Sequence, residues 1–428
     1  MPFLLIHVGG TSNSRESQTI QAEVGCTIIR LAFKHFAYPS SHHNRPVMKP
    51  VFVTRFSLSS KSAIGVQTRR FMMPFPDAQH LYWERRDLRR IDARSQSIEK
   101  LLTSRLSILR RPGTLARLGR LGRMTHWDGS DFSTSIQARL RASAKGTSVI
   151  YLAPIGADDA SRMRRIVELV ERPFVVHLWD SLDVEPAGNE DLGWLLAQAD
   201  KVYGLTGTLI AASGRNDAEP LLFSRAPASV RAAPPRPGQP VRIATMGDLV
   251  SYQDGLAVLI DACARLSAKG QAVELLYIGP DGAWRRLPEP LRAPLVRTGF
   301  LPSDQRRDEV LADCHLGFMP GPLAPPENDL RSRFSVPSRM LDFMATGLPT
   351  IGTVHPRSAT YAMADDFGIT AGLRQTAADL AQVVEAWRDV DAWRAAAARS
   401  LAGFAQLEAV DPVAQLARDL EALGRGSG

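Results

Sequence analysis

Hydrophobic positions along this chain recur in two spacings, one typical of buried strands and one typical of amphipathic helices. Short apolar runs lie within 48–56, 147–155 and 172–182, and each is followed by a stretch whose apolar side chains return every three or four residues. The same alternation, with short turns, continues from residue 241 almost to the end. Alternating strands and helices predict an α/β fold with doubly wound parallel sheets.

The clearest helix-to-strand unit is the segment 333–353, RFSVPSRMLDFMATGLPTIGT. Ser335 is a residue type that caps a helix N-terminus, and Pro337 is tolerated in a first helical turn. Gly347 stands where a helix ends in a left-handed residue, and the following proline forbids continuation. The sequence therefore predicts a helix from Ser335 to Gly347 and a short buried strand over 348–353.

Polar side chains share the other face of this predicted helix. Ser338, Arg339 and Asp342 lie three or four residues apart, so they occupy one side. A helix N-terminus and an arginine suit a phosphate, and a carboxylate one turn further on suits ribose hydroxyls. On this helix alone, a solvated Arg/Asp pair is the simpler interpretation.

Length and composition bound the organisation. The chain has 428 residues, 44% hydrophobic and 22% charged, which is a globular balance with room for two domains. Residues 1–47 lack a clean pattern and are predicted to be an unstructured extension, and a Pro/Ala/Arg-rich stretch at 227–240 is predicted to be a linker. The predicted domains are then residues 48–226 and 241–425.

Charge and cysteine content indicate partners and surroundings. The net charge of +8 comes from arginine concentrated in the first half, which implies an anionic partner or surface. No apolar run is long enough to span a membrane. The three cysteines have neither metal nor redox spacing, so a reducing, cytoplasmic location is expected, with no metal site.

The basic segment 85–123 allows more than one interpretation. Leucines recur among its arginines at helical spacing, so it fits either helices with a solvated basic face or an interfacial helix on acidic lipid. Nucleic-acid binding ranks last, because the segment has no interleaved aromatic residues and no known binding module. We therefore expect no nucleic acid, and a peripheral membrane contact stays open.

Candidate chemistry in the first half lies at the ends of predicted strands. A Ser-rich loop after the first strand leads to Gly65 and Gln67, which are candidate cleft or acceptor contacts. His177 and Asp180 lie at the C-terminal end of the strand predicted within 172–182, at the edge where open parallel sheets bind ligands. They are the candidate catalytic residues, although a histidine in such a place is commonly a hydrogen-bonded structural residue.

The stretch VPSRMLDFMATGLPTI (336–351) resembles the donor-binding helix of GT-B glycosyltransferases of the family-4-like group, the group 1 glycosyltransferases. The resemblance implies that Asp342 binds the donor ribose, and that Arg339, Ser338 and neighbouring backbone N–H groups bind its diphosphate. The family often carries a second acid eight residues earlier, where this chain has Phe334.

Other segments carry the same resemblance. MGDLVSYQDG, which contains Gly247, resembles a segment in which many members hold the diphosphate with an arginine and a lysine; Asp248 and 253–254 (Gln-Asp) stand there instead. Arg333 and Arg339 are therefore expected to compensate. In a further segment, Gly299 and Phe300 match residues that contact the base.

The resemblance implies a GT-B architecture, in which two Rossmann-like doubly wound parallel-sheet domains face each other across a cleft. It implies a glycosyltransferase, of retaining type, that moves a sugar from a nucleotide-diphosphate donor to a saccharide or lipid-linked acceptor. Bacterial surface polysaccharide assembly is the usual setting of such enzymes. No cofactor or metal is expected, because a helix dipole and arginine neutralise the leaving diphosphate.

Two alternatives to a transferase stay open. The missing Arg/Lys pair favours a GT-B protein that no longer transfers sugar and acts as a binding or assembly partner. The other is a nucleotide-sugar epimerase on the same fold, which would need several acid/base residues in the cleft.

Overall fold

The computed structural model describes residues 48–56, 58, 63–82, 95–97, 146–179, 185–301 and 303–425. The predicted extension 1–47 and most of the basic segment 85–123 lie outside these ranges, as does Asp180. The predictions made for them are therefore left as predictions.

The first half of the described chain forms a parallel sheet of seven strands in the order β3-β2-β1-β4-β5-β6-β7. Its strands are β1 (Val51–Thr54), β2 (Gln79–Tyr82), β3 (Ser95–Ser97), β4 (Ile150–Ala153), β5 (Phe174–Leu178), β6 (Lys201–Gly204) and β7 (Glu219–Pro220). The four helices of this half are α1 (Ala63–Phe71), α2 (Ala157–Val170), α3 (Glu190–Gln198) and α4 (Gly207–Ala212).

The second half forms a parallel sheet of six strands, within its described residues, in the order β10-β9-β8-β11-β12-β13. Its strands are β8 (Val241–Met246), β9 (Val273–Ile278), β10 (Leu295–Gly299), β11 (Leu316–Pro320), β12 (Thr350–Thr353) and β13 (Leu373–Arg374). Counted from its own first strand, this order is 3-2-1-4-5-6, the Rossmann order, and the first sheet begins with the same order. The prediction of two doubly wound parallel sheets is confirmed.

Helices cover both faces of the second sheet. The helices of this half are α5 (Gln253–Ala268), α6 (Asp281–Arg286), α7 (Glu289–Arg292), α8 (Asp304–Ala312), α9 (Leu330–Phe334), α10 (Arg339–Thr346), α11 (Ala359–Asp366), α12 (Ala377–Ala386) and α13 (Val390–Val410), and α14 (Pro412–Arg425) follows them. Short 3₁₀ turns lie at Pro186–Gly188, Val250–Tyr252 and Thr370–Gly372.

The last helix, α14, returns to the first sheet. Tyr203 of β6 donates a hydrogen bond to the Asp419 carboxylate at 2.6 Å, and the Lys201 ammonium lies 3.0 Å from the same oxygen. Leu416 and Leu420 of α14 are buried in the core that also contains the first sheet. Helix α14 therefore packs against the first sheet and stabilises it.

The helix predicted from Ser335 to Gly347 begins later than predicted, at Arg339. α9 ends at Phe334 with Ser335 as its extended C-cap residue, and α10 begins only after Ser338. Pro337 explains the break, because a proline disfavours helical backbone at the residue before it. The predicted end is confirmed, since Gly347 has φ +68° and caps the helix in the left-handed conformation.

Other predicted boundaries also move. α1 begins at Ala63, so Gly65 lies inside the first helical turn and not in the preceding loop. α5 begins at Gln253 with Tyr252 as its N-cap residue, so Asp254 lies in the first helical turn. The edge strands β3, β7 and β13 were not predicted, because two or three residues carry no readable pattern.

Candidate functional site

The strand order of the second sheet reverses between β8 and β11. This topological switch point opens a crevice at the carboxyl edge of the sheet. Open α/β sheets bind their ligands at such points. Gly247 follows β8, and Gly321 follows β11. A Cβ on Gly321 would lie 3.1 Å from the Thr353 backbone oxygen, so a side chain there would crowd the end of the neighbouring strand. Glycine therefore leaves this edge of the sheet without a side chain that would crowd it.

Gly247 gives this edge its shape. Its φ is +87°, a left-handed value that favours glycine, and its carbonyl accepts a hydrogen bond from Tyr277 Oη at 2.9 Å. A Cβ built on Gly247 would lie 3.4 Å from Nη2 of Arg339. The guanidinium of Arg339 also lies over the Tyr252 ring, 5.7 Å from its centroid. The structure thus brings two predicted donor-binding residues, Gly247 and Arg339, together at the switch point.

Helix α10 is held rigidly behind this edge. Its buried residues are Met340, Leu341, Phe343, Met344, Ala345 and Thr346. A Cβ on Gly317 of β11 would lie 2.5 Å from the Phe343 ring, so the absence of a side chain there lets the helix approach the sheet closely. The polar face with Ser338, Arg339 and Asp342 is thereby fixed relative to Gly247.

The N-terminal turn of α10 is tighter than the sequence predicts. Ser338 is the N-cap residue, but its side chain makes no capping hydrogen bond. The N–H groups of Met340 and Leu341 donate to the carbonyls of Pro337 and Ser338, both at 3.1 Å. These two N–H groups are thus engaged within the turn, which leaves Arg339 as the main predicted phosphate ligand of the helix.

Asp342 lies in a network of charged side chains. Its Oδ1 accepts hydrogen bonds from Arg225 Nε at 2.7 Å and from Arg307 Nε at 3.0 Å. The network contains three arginines and three aspartates: Arg70, Arg225, Arg307, Asp304, Asp308 and Asp342. The sequence predicts Asp342 as a ribose ligand, whereas here its carboxylate is already gripped by two guanidinium groups.

The network joins the two sheets. Arg70 of α1 reaches across to Asp304 of α8, with Nη2 2.6 Å from the carboxylate. Arg225, in the stretch between the sheets, has a side chain only 1% exposed and also pairs with Asp308. These ion pairs therefore connect α1 of the first sheet to α8 and α10 of the second.

The pKa values follow from burial and from these pairings. Burial acts to raise the pKa of Asp304, but Arg70, Arg225 and Arg307 outweigh it, so the pKa is well below its ordinary value. Burial acts to lower the pKa of Arg307, and its neighbours Asp342 and Asp304 reverse this and raise it. These two charges are thus stabilised by their partners.

Two further charged residues bear on the predicted donor site. Arg333 pairs with Glu185 of the first half and donates from Nε to the Pro326 carbonyl at 3.2 Å, so it bridges the halves of the molecule. Asp248, directly after Gly247, accepts a hydrogen bond from Arg286 Nη2 at 2.6 Å. Arg286 thus neutralises the carboxylate that stands where the resembling family has an arginine.

Gly299 and Phe300 lie at the carboxyl end of the edge strand β10. Gly299 has φ +82°, and the register of β10 against β9 shifts beside it. Its carbonyl accepts a hydrogen bond from Gly279 N at 3.1 Å, at the end of the neighbouring strand. Both residues therefore lie on the same edge of the sheet as Gly247.

His177 lies in the interior of the first sheet. Its side chain is fully buried, with Nδ1 2.7 Å from Tyr151 Oη and Nε2 2.9 Å from the Leu221 carbonyl. Trp179 Nε1 donates to His177 Nδ1 at 2.8 Å. Burial lowers the pKa of His177 to about 3, so the ring is neutral. This arrangement favours the structural interpretation over a catalytic one.

The remaining predicted residues of the first half also have structural contacts. Gln67 is buried and accepts a hydrogen bond from Ser224 N at 2.9 Å, while Gly65 is buried in the first turn of α1. Asp180, the second predicted catalytic residue, is not among the described residues. The epimerase alternative therefore has no described acid/base pair in the cleft to support it.

Sequence reasoning missed Arg225 and the charged face of α8. Asp304, Arg307 and Asp308 lie three and four residues apart, so helical spacing alone places them on one face. Arg225 gave no such signal, because it lies just before the predicted linker, in a stretch with no helical or strand pattern. The identity of the partners depends on how the two sheets meet, which no local pattern encodes.

Paired Rossmann-type sheets with a ligand edge on the second define the GT-B class of fold. Residues 240–389 match the family model described as glycosyl transferases group 1. The resemblance of the sequence to the group 1 glycosyltransferases is thus confirmed, and the match covers most of the second half.

Solved structures of the same class resemble the whole described chain. Anabaena Alr3699/HepE in complex with UDP and glucose has 14% identity and a TM-score of 0.59, with 88% of this chain and 100% of that chain covered. An α,α-trehalose-phosphate synthase (UDP-forming) from Burkholderia vietnamiensis has 12% identity and a TM-score of 0.53, with coverages of 89% and 99%. At such identities the similarity shows the fold. Among curated proteins, none matches the sequence.

Membrane spans and metal clusters are both absent from the described residues. No helix among them is both long and apolar enough to cross a membrane. Within the same ranges, no group of three or more His, Cys, Asp or Glu side chains is arranged to hold a metal ion.

Proposed function

We propose that this glycosyltransferase binds a nucleotide-diphosphate sugar at the carboxyl edge of the second sheet and transfers the sugar to an acceptor at the first. The observation that carries the proposal is the position of the Arg339 guanidinium beside Gly247, at the point where the strand order reverses. Arg339 binds the diphosphate by charge-assisted hydrogen bonds.

The other predicted donor contacts fit around this position. Asp342 lies one turn beyond Arg339 on α10, a rise of about 4.5 Å, and it serves the ribose. Gly299 and Phe300, on the same edge, serve the base. The leaving diphosphate is stabilised by the Arg339 guanidinium, so we expect transfer without a metal ion.

The acceptor side rests on the family resemblance alone. We propose a saccharide or lipid-linked acceptor, transfer with retention of anomeric configuration, and a role in bacterial surface polysaccharide assembly. A cytoplasmic location, with contact between the basic segment 85–123 and acidic lipid, belongs to the same proposal.

Calorimetric titration of UDP and of GDP into the full chain tests donor binding. We expect one of the two nucleotides to bind, and Arg339→Met to weaken its affinity roughly 10- to 100-fold, the effect of losing a hydrogen bond to a charged group. Arg394→Met is the matched control, because Arg394 is exposed on α13 and forms a pair within its own helix. Equal nucleotide affinity of the Arg339→Met variant and the wild type would show that Arg339 does not bind the diphosphate.

One observation supports a second candidate, a GT-B protein that binds donor without transferring sugar. Asp248 stands beside Gly247, where the resembling family places a positive charge, and it is paired with Arg286. Release of nucleotide diphosphate from a UDP-sugar, in the presence of saccharide acceptors, separates the candidates. A protein that binds nucleotide but gives no product with any acceptor supports the binding function.

A further inference from the structure

The Asp342 carboxylate is gripped on one oxygen only. Oδ1 accepts hydrogen bonds from Arg225 Nε at 2.7 Å and from Arg307 Nε at 3.0 Å, and Arg307 Nη2 lies 2.9 Å from the same atom. Among the described residues, no hydrogen bond of Asp342 uses Oδ2. Two guanidinium groups that donate to the same oxygen limit rotation of the carboxylate, so the direction of Oδ2 is fixed.

The two arginines are themselves held in place. Arg225 pairs with Asp308 and donates from Nη1 to the Ala226 carbonyl at 2.7 Å. Arg307 pairs with Asp304 at 2.6 Å. A guanidinium has five donors in a rigid fork, so each arginine serves its own anchor and Asp342 together. The orientation of Asp342 is therefore set by side chains that do not move independently.

The balance of charge shows what this network does not do. Its three guanidinium groups face three carboxylates, so it offers little net positive charge to a diphosphate. Arg339, one turn before Asp342 on the same face of α10, is the residue placed for phosphate. The network is thus suited to orienting one carboxylate, and not to binding an anion.

We propose that Arg225 and Arg307 are positioning residues of the donor site, which fix Oδ1 of Asp342 so that Oδ2 accepts hydrogen bonds from the ribose hydroxyls of the nucleotide. This inference rests on the proposed function of the same edge. It assigns recognition of the ribose to the network that holds Asp342, and recognition of the diphosphate to Arg339. The two contributions to nucleotide affinity can therefore be measured separately.

The test compares UDP with 2′,3′-dideoxy-UDP by calorimetric titration of the full chain; GDP and its dideoxy analogue replace them if GDP is the nucleotide bound. We expect the wild type to bind the ribonucleotide roughly tenfold or more tightly than the dideoxy form, since hydroxyls that hydrogen-bond a carboxylate are lost. Arg307→Met should bring this ratio to below threefold and change the affinity for the dideoxy nucleotide less than threefold.

Two further variants make the test specific. Arg306→Met lies on the same helix, where Arg306 is exposed and pairs with Glu309, and it should leave both affinities at the wild-type values. Arg307→Lys keeps the charge but cannot donate to Asp342 and Asp304 from two fixed nitrogens, as Nε and Nη2 do, so it should preserve the fold, checked by circular dichroism, and still lower the ratio. It also carries the test if Arg307→Met does not fold.

Each other outcome overturns the inference in a distinct way. A wild-type ratio in the Arg307 variants would show that Arg307 does not position Asp342, and an increased ratio would show that it withholds the carboxylate. A wild-type protein that binds UDP and dideoxy-UDP equally would overturn the inference and leave the proposed donor binding intact. No binding of UDP or GDP by the folded wild type would overturn both.

Discussion

Two clusters of buried polar side chains among the described residues differ in charge and in reach. In the first sheet, Tyr151, His177 and Trp179 form a neutral cluster that belongs to β4, β5 and the residue after it. Beside the second sheet, Arg225 and Arg307 belong to an ionic network that joins three helices and the stretch between the sheets.

The difference indicates what each cluster contributes. The neutral cluster satisfies its own donors and acceptors inside one core, so it stabilises that core and offers nothing to a ligand. Burial of the ionic network removes charges from water, which costs free energy. A buried ion pair is therefore weak evidence of stabilisation. Its contribution is orientation, because it fixes Asp342 and ties helix α1 to helices α8 and α10.

The largest expected effect comes from removing the centre of the ionic network. Arg225→Met leaves Asp308 and Asp342 without their principal buried partner, and the loss of one member of a buried pair costs about 3–5 kcal/mol. Urea denaturation measures the free energy of unfolding. Arg394→Met, an exposed arginine with a partner in its own helix, should change it by less than about 0.5 kcal/mol. A loss below about 1 kcal/mol for Arg225→Met would contradict a buried, interdependent network.

The strands and the end of α10 could be predicted because their signals are local. Buried apolar runs gave the central strands of both sheets, and Gly347 with the proline after Leu348 gave the end of α10. The break between α9 and α10 was missed because Pro337 fits two roles: it can open a helix, or it can force the residue before it out of the helical region. The second role prevails here.

The candidate site was only partly accessible to sequence reasoning. Arg339 and Gly247 were identified through a family pattern, and the fold brings them together. The partners of Asp342 come from residues 35 and 117 positions away, so no spacing rule connects them. His177 was placed correctly at a strand, but the sequence does not reveal that Tyr151, Trp179 and the Leu221 carbonyl enclose its ring.

A smaller effect is expected in the neutral cluster, and it separates structure from catalysis. His177→Leu removes the partner of the Leu221 carbonyl and should cost about 1–3 kcal/mol of unfolding free energy. His177→Gln retains an N–H donor, so it should recover part of this loss. Well below the unfolding temperature, nucleotide affinity and the rate of sugar transfer should stay within about threefold of the wild type. A general acid or base would instead contribute 10²- to 10⁴-fold to the rate.

The smallest effect is a pH dependence that belongs to the neutral cluster alone. Burial lowers the pKa of His177 from 6.5 to about 3, so between these values the unfolded chain binds a proton that the folded chain does not. Stability is therefore present above the unfolded pKa and falls as the pH decreases below it. For this one residue, the loss between pH 7.5 and 5.5 is about 1.4 kcal/mol.

Subtraction of a matched variant isolates this contribution from the other titrating groups. The difference in unfolding free energy between the wild type and His177→Gln, measured at both pH values, should shrink by about 1.4 kcal/mol at the lower one, because glutamine binds no proton. Arg394→Met, the exposed control on α13, should keep a constant difference from the wild type at the two pH values. A constant difference in unfolding free energy for His177→Gln would mean that His177 is accessible to protons in the folded state. The neutral cluster would then not be closed, and its contrast with the orienting ionic network would be lost.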